Sequence, residues 1–147
     1  MAKAIKKQYA VIGLGRFGIA LTRGLNAEGA EVLVIDSDPD KVNDIEPYCT
    51  QAICADATDE AVLEKIGIRN LDVAVVCMAG DIEASIFVTL TCKQLGVPQV
   101  ITKAQNDKHR HVLKKIGADM VIVPEEEMGA KLAANLVKPN MIEVMSL

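Results

Sequence analysis

The chain has little aromatic character: aromatic residues make up 3% of its 147 residues, and tryptophan is absent. Half of the residues are nevertheless hydrophobic, so the core must be built from valine, isoleucine, leucine, alanine and methionine. Aliphatic cores of this kind are typical of buried parallel sheets with helices on both faces. We expect one such domain, with no room for a second catalytic domain.

Long apolar segments, excess positive charge and paired cysteines are also absent, and each absence excludes a class of protein. The longest strand-like apolar run, 73–79, falls far short of the roughly 20 residues of a membrane-spanning helix. The basic start of the chain lacks an apolar signal core, so we expect a cytoplasmic protein. A net charge of −4 argues against nucleic acid as a partner, because that would require a basic face. The cysteines show no CxxC spacing and are expected to be buried thiols: Cys49, Cys54, Cys77 and Cys92.

Six short apolar runs alternate with segments of helical pattern. The runs predict strands at 9–12, 31–35, 51–54, 73–78, 99–102 and 120–123. Helices are predicted at 16–28, 38–46, 59–66, 81–95, 107–116 and 125–137, with Asp59, Asp81 and Asp107 as N-caps. Because crossovers between parallel strands are right-handed, this α/β alternation predicts a doubly wound parallel six-stranded sheet of strand order 3-2-1-4-5-6.

A glycine motif, Gly13-Leu14-Gly15-Arg16-Phe17-Gly18, joins the first predicted strand to the first helix. Its first glycine allows a tight turn, the second lets the backbone approach a pair of phosphates, and Gly18 lets the helix pack closely. The helix N-terminus presents free N–H groups to an anion. Asp36 ends the second predicted strand about 20 residues further on, where a dinucleotide fold places the acid that binds the ribose diol. The pattern predicts a Rossmann-like adenine-nucleotide site.

Further segments, taken with this motif, resemble the N-terminal RCK (TrkA-N) domain of Ktr- and Trk-type potassium-uptake regulators. They are Asp36, Ala55-Asp56-Ala57-Thr58, Asp81-Ile82-Glu83-Ala84 and Lys103-Ala104. The resemblance covers the chain from about Lys7 onward. The segments 115–119 and Pro124-Glu125 are most similar to the KtrA-type cytosolic subunit.

The resemblance implies a regulatory subunit rather than an enzyme. Such a subunit would lie in the cytoplasm, at the inner face of the plasma membrane, and gate an integral membrane potassium transporter as a homo-oligomer, from a dimer to an octameric ring. The implied ligand is ATP or ADP, with NAD(H) as an alternative and Mg²⁺ or Na⁺ at the phosphates. Residues 1–138 would form the nucleotide-binding domain, and 139–147 would begin a crossover toward a C-terminal domain.

The resemblance also implies residue roles. Asp36 would hold the adenosine ribose, with Ser37 beside it, and Asp56 and Ala57 would line the adenine pocket. Arg16 would reach the phosphates from the glycine loop. The remaining implied site residues are Phe17 and Lys103 for the nucleotide and Glu125 for a cation near a neighbour's phosphates.

Four of these residues also have an ordinary structural explanation. Asp36 and Asp56 could cap helices, Arg16 could be an exposed first-turn residue, and Glu125 could belong to a solvated acidic turn. The two histidines, His109 and His111, diverge on a helix and are expected at the surface.

The alternative function is an NAD-dependent oxidoreductase or its isolated cofactor-binding domain. Such an enzyme needs an acid or base opposite the nicotinamide, and no His, Lys or Tyr pair after the fourth strand offers one. A redox sensor of transcription would need a DNA-binding module, and the sequence shows none.

Overall fold

A computed structural model shows the alternating strands and helices of the chain and describes residues 6–78 and 80–138. The strands are Gln8–Ile12 (β1), Glu31–Asp36 (β2), Gln51–Cys54 (β3), Val73–Val76 (β4), Gln99–Lys103 (β5) and Met120–Ile122 (β6). The helices are Arg16–Ala27 (α1), Pro39–Ile45 (α2), Glu60–Lys65 (α3), Ile82–Gln94 (α4), Asp107–Lys115 (α5) and Pro124–Leu136 (α6). The predicted crossover segment 139–147 lies outside the described residues.

All six strands are parallel and form one sheet in the order β3-β2-β1-β4-β5-β6. The predicted fold class and strand order are therefore confirmed. Strand β1 lies at the centre, with Ile12 opposite Ile35 of β2 on one side and opposite Val76 of β4 on the other. The strand order reverses between β1 and β4, so a crevice opens at their carboxyl ends.

Helices cover both faces of the sheet, because alternate residues of each strand point to opposite sides. On one face Ala10 and Ile12 of β1 pack with Val88 of α4. On the other face Val11 packs with Ile45 of α2 and with Phe17 of α1. Apolar residues are thus buried in two layers, as expected for an aliphatic parallel sheet.

Some local predictions are wrong. Strand β4 ends at Val76 instead of residue 78. Asn106 rather than Asp107 is the N-cap of α5, since the side chain of Asn106 accepts a hydrogen bond from the N–H of His109 at 2.8 Å. His109 and Leu113 are four residues apart and share the inner face of α5. His109 is 3% exposed, so the expectation of a surface residue is wrong for it.

The expectation of buried thiols holds for two of the four cysteines. Cys77 and Cys92 are buried, whereas Cys49 is partly buried and Cys54 is exposed. Burial raises the pKa of the Cys77 and Cys92 thiols to about 12, which keeps both protonated and unreactive near neutral pH.

Two glycines of α1 provide a test of the close packing between this helix and the loop after β1. A Cβ at Gly18 would overlap the carbonyl oxygen of Gly13, whereas a Cβ at Gly24 would meet no atom within 4 Å. We expect Gly18→Ala to lower the free energy of unfolding by about 3 kcal/mol through steric strain. Gly24→Ala should raise it by about 0.5–1 kcal/mol, because alanine is the better helix former. Urea denaturation measures both changes, and equal stabilities of the two variants would contradict the close contact.

Candidate nucleotide-binding site

The crevice at the carboxyl ends of β1 and β4 begins at Gly13. This residue has a φ of +101°, and its N–H donates to the carbonyl of Ile35 at 2.9 Å. A Cβ here would lie 2.6 Å from the carbonyl oxygen of Cys77. Only glycine fits, because both the backbone conformation and the space exclude a side chain. The loop is therefore held between the ends of β2 and β4.

Helix α1 starts directly after this loop, with an N-terminus suited to an anion. Gly15 is its N-cap and provides no side-chain acceptor, and the first turn carries no acidic residue. The first helical N–H groups have no partner within a helix. Together with the positive end of the helix dipole, these amides form an anion-binding position beside the crevice.

Asp36 at the end of β2 is hydrogen-bonded to this loop. One carboxylate oxygen accepts from the N–H of Leu14 at 2.7 Å, and the other accepts from the N–H of Asp38 at 2.8 Å. The helix-cap explanation of Asp36 does not hold, because the N-cap of α2 is Asp38, which accepts from the N–H of Asp40 at 2.9 Å. Each carboxylate oxygen of Asp36 retains a second lone pair for a ligand hydroxyl.

The glycine loop and the ends of β2, β3 and β4 enclose a cleft of about 170 Å³. It brings together six of the predicted site residues: Gly13, Gly15, Asp36, Ser37, Asp56 and Ala57. Gly18 is buried under the loop and contributes packing rather than lining.

Asp56 has a structural role within the cleft wall. Its carboxylate accepts from the hydroxyl of Thr58 at 2.6 Å and from the N–H of Thr58 at 2.9 Å. Both bonds lower the pKa of Asp56, and the bond from the Thr58 hydroxyl has the larger effect. Asp56 thus closes the turn before α3, while Asp59 is the N-cap of that helix.

The other predicted residues surround a recess of about 460 Å³ next to the start of α1. Its lining consists of Arg16, Phe17, Lys103, Pro124 and Glu125. Arg16 is exposed, and Lys103 is mostly buried, with 17% of its side chain exposed. The recess therefore brings two cationic side chains to the end of the glycine loop, where phosphate oxygens would lie in a Rossmann-like site.

Glu125 is already paired in this recess. Its carboxylate lies 3.7 Å from the ammonium of Lys103, while 74% of its side chain is exposed. Within residues 6–78 and 80–138, no group of three or more His, Cys, Asp or Glu side chains could hold a metal ion. Glu125 as a cation ligand remains a prediction, and further oxygen ligands would have to come from the nucleotide or another subunit.

The sequence reasoning missed several lining residues. Lys41, Met78 and Asp81 line the cleft, and Pro124 lines the recess. Met78 and Asp81 follow β4, so the strand-order reversal beside β1 was a usable signal for them. Lys41 lies on α2 without any motif, and the sequence held no signal for it.

In the part of the chain that the structure describes, no helix combines the length and the apolar character that crossing a membrane would require.

The model of the TrkA-N domain family matches residues 9–124. The chain is 46% identical to Ktr system potassium uptake protein C of Bacillus subtilis over 143 residues, 97% of this chain and 65% of that protein. It is 44% identical to Ktr system potassium uptake protein A of the same species, over 100% of this chain and 66% of that protein. The chain thus spans about two thirds of the length of these relatives.

Solved structures share the fold. The TrkA-N domain of the inner membrane protein ybaL from Escherichia coli superposes with a TM-score of 0.80 at 18% identity, covering 91% of this chain and 98% of that one. GsuK bound to ADP has a TM-score of 0.70 at 26% identity, covering 90% and 34%. The GsuK channel bound to NAD has a TM-score of 0.75 at 16% identity, covering 90% and 24%.

The bonds of Asp36 predict a cost to stability even without ligand. Asp36→Ala leaves two backbone N–H groups without their acceptor and should lower the free energy of unfolding by about 1–3 kcal/mol. Asp36→Asn retains one acceptor oxygen, so its free energy of unfolding should fall by about half as much. The exposed Asp44 of α2 serves as control, and its change to alanine should stay within about 0.5 kcal/mol. Thermal unfolding without ligand measures the stability of all three variants. An Asp36→Ala variant as stable as the unaltered protein would contradict a stabilising role of Asp36 in the loop.

Proposed function

We propose that this chain, which belongs to the TrkA-N domain family, is an adenine-nucleotide-binding regulatory part of a potassium-uptake system. The family predicted from the sequence motifs is thereby confirmed. The observation that carries the proposal is the 46% identity to a Ktr system potassium uptake protein over 97% of this chain. The glycine loop is held by a hydrogen bond from the N–H of Leu14 to Asp36, and this arrangement supports nucleotide binding as the means of regulation.

The nucleotide would lie across the glycine loop. In our proposal Asp36 accepts hydrogen bonds from the ribose, Asp56 and Ala57 border the adenine, and the phosphates lie at the N-terminus of α1. Arg16 and Lys103 then meet the distal phosphates in the recess. The GsuK structures bound to ADP and to NAD support an adenine nucleotide as the ligand class.

The recess favours ATP and ADP over NAD(H). A terminal phosphate carries more negative charge than the pyrophosphate of NAD, and two cationic side chains would meet it. Binding of a terminal phosphate by Lys103 would compete with the ion pair between Lys103 and Glu125. Mg²⁺ or Na⁺ would then compensate the released carboxylate of Glu125. ATP and ADP would make different contacts with Lys103 and Glu125 in this arrangement. A ligand can shift an equilibrium between two conformations only if it binds them with different affinity, and such contacts could provide the difference.

The cleft is poorly equipped for an oxidoreductase. No histidine or tyrosine occurs among the described residues that line it. The carboxylate of Asp81 caps α4 by accepting from the N–H of Ala84 at 3.0 Å, and the Cys77 thiol has its pKa raised to about 12 by burial. The described part of the lining thus offers no histidine as a general base for hydride transfer. We therefore infer a regulatory binding module rather than an enzyme.

Helix α6 offers a surface for a homo-oligomer. Met128, Leu132 and Leu136 follow one another at four-residue intervals and are 61%, 39% and 58% exposed. An apolar stripe of this kind is more stable when covered. On α4, Phe87 is 46% exposed, whereas Ile82, Ile86 and Leu90 are partly buried. We propose a homo-oligomer, from a dimer to an octameric ring, bound to a membrane potassium transporter at the cytoplasmic face.

Arg16 tests the phosphate end of the site. Arg16→Ala should weaken ATP binding about 10–100-fold, the effect of losing a charge-assisted hydrogen bond, and should weaken AMP binding less than about threefold. Titration calorimetry on the purified protein gives both affinities. Arg23 of the same helix stacks on the ring of Tyr48 at 4.4 Å, so Arg23→Ala is the matched control. Equal losses for ATP and AMP, or steady phosphate release from ATP, would refute the proposal.

Leu132 tests the oligomer. At micromolar concentration, multi-angle light scattering should report at least a dimer for the unaltered protein, and Leu132→Asp should shift the mass toward the monomer because a buried charge disfavours association. Val112 of α5 is 38% exposed, close to the 39% of Leu132, so Val112→Asp is the control and should leave the mass unchanged. A strict monomer would contradict the proposed assembly.

A further inference from the structure

A buried histidine links two segments that border the candidate site. The ring of His109 in α5 has its Nδ1 atom 3.0 Å from the N–H nitrogen of Gln105 and its Nε2 atom 2.7 Å from the hydroxyl oxygen of Ser85 in α4. The Ser85 hydroxyl lies 2.8 Å from the carbonyl oxygen of Ile82. His109 and Ser85 are 3% and 0% exposed, so water does not compete for these bonds.

These partners determine where the ring carries its proton. A backbone N–H can only donate, so Nδ1 of His109 must accept and carries no hydrogen. The neutral ring therefore holds its hydrogen on Nε2 and donates to Ser85, whose hydroxyl in turn donates to Ile82. One directed chain of hydrogen bonds runs from the loop after β5, through α5, to the first turn of α4.

Both ends of this chain reach the candidate site. Gln105 follows Lys103, which lines the recess beside Arg16, by two residues. At the other end, the N–H of Ser85 donates to the carbonyl of Asp81 at 3.0 Å, and Asp81 lines the cleft. The loop after β5 and the start of α4 are thus tied to each other through one imidazole.

We propose that His109 is a positioning residue for the nucleotide site, which in its neutral form ties the loop behind Lys103 to the start of α4 at Asp81 and on protonation releases that loop. The proposal rests on the proposed function for its ligand. A second proton on the ring would place an N–H of Nδ1 against the N–H of Gln105, two donors facing each other. That bond then breaks, and the loop behind Lys103 loses its anchor.

Charged groups on the neighbouring elements do not offset this effect. They are Asp81 at the N-cap of α4, Glu83 and Lys93 on α4, Lys103 on β5, Asp107, Lys108, Arg110, Lys114 and Lys115 on α5, and Glu125, Glu126, Glu127 and Lys131 on α6. None of them forms a hydrogen bond or ion pair with the ring: Lys103 pairs with Glu125, and Arg110 pairs with Asp107 and Glu126.

The direction of the pH dependence follows from burial. Desolvation lowers the pKa of His109, because it disfavours the charged ring. The unfolded chain therefore binds this proton at a higher pH than the folded one does. The stabilisation is complete above the ordinary histidine pKa of about 6.5 and decreases as the pH falls below it.

The test compares His109→Asn with the unaltered protein. The oxygen of asparagine can replace Nδ1 as the acceptor for Gln105, but it cannot reach Ser85 and does not titrate. At about pH 7.5 we expect the variant to bind ATP about fivefold more weakly, the effect of one lost hydrogen bond. At a pH below the midpoint at which the His109 ring titrates, the ratio of the two affinities should approach one, because only the unaltered protein loses a bond on acidification. Protonation of the ATP phosphates affects both proteins equally and cancels in the ratio.

His111→Asn is the matched control, since His111 lies two residues away and is exposed. Its affinity ratio to the unaltered protein should stay at one at both pH values. Titration of the His109 ring nitrogens by ¹⁵N NMR gives the pH at which the affinity loss of the unaltered protein should occur. A fivefold ratio that does not change with pH would mean a purely structural role and would overturn the proposal.

A readout without ligand separates this inference from the proposed function. The protection factor of the Gln105 amide against deuterium exchange should fall on acidification in the unaltered protein and should not fall in His109→Asn. If no adenine nucleotide binds to the unaltered protein, the proposed function fails, and Gln105 exchange still decides whether His109 holds the loop. If ATP binds and neither the ratio nor the exchange responds to pH, only the role of His109 is refuted.

Discussion

The close approach of Gly13 to the end of β4 is the contact on which the site depends. Because a Cβ at Gly13 would lie 2.6 Å from the Cys77 carbonyl oxygen, only glycine lets the backbone leave β1 between β2 and β4. The same turn places Leu14 where its N–H meets Asp36. It also brings α1 so near that Gly18 cannot carry a side chain. The absence of a side chain at Gly13 thus opens the crevice, and the carboxylate of Asp36 stabilises the loop beside it.

Charge divides the site into two parts. Three carboxylates, from Asp36, Asp56 and Asp81, outnumber the ammonium of Lys41 around the cleft, whereas the cations of Arg16 and Lys103 outnumber the carboxylate of Glu125 around the recess. A nucleotide has hydroxyl and amino donors at one end and phosphate oxygens at the other. In the proposed complex, this order of charges would therefore favour one orientation of the nucleotide across the loop over the reverse one. The exposed Glu125, held by Lys103, marks the place where added negative charge would disturb an existing ion pair.

Buried polar contacts connect the elements that carry these charges. Thr89 of α4 and Thr102 of β5 share a hydrogen bond of 2.7 Å, next to the bond between Ser85 and His109. Among the described residues, no buried side-chain nitrogen or oxygen lacks a partner. Since an unsatisfied buried polar group is costly, such pairs allow few relative positions of α4, β5 and α5. Apolar packing alone would hold these elements less specifically.

The sequence by itself determined the alternation of strands and helices, the strand order, the glycine turn and the acid at the end of β2. These features depend on periodicity, on chain distance and on the handedness of crossovers, which are local or general properties. Only the tertiary structure decided that Asp36 binds backbone N–H groups, that Lys103 of β5 pairs with Glu125 of α6, and that Lys41 lines the cleft. It also placed His109 in the interior, because the face of α5 that carries His109 and Leu113 packs inward. Contacts between residues far apart in the chain arise from how helices pack on the sheet, and no local pattern of residues encodes that packing.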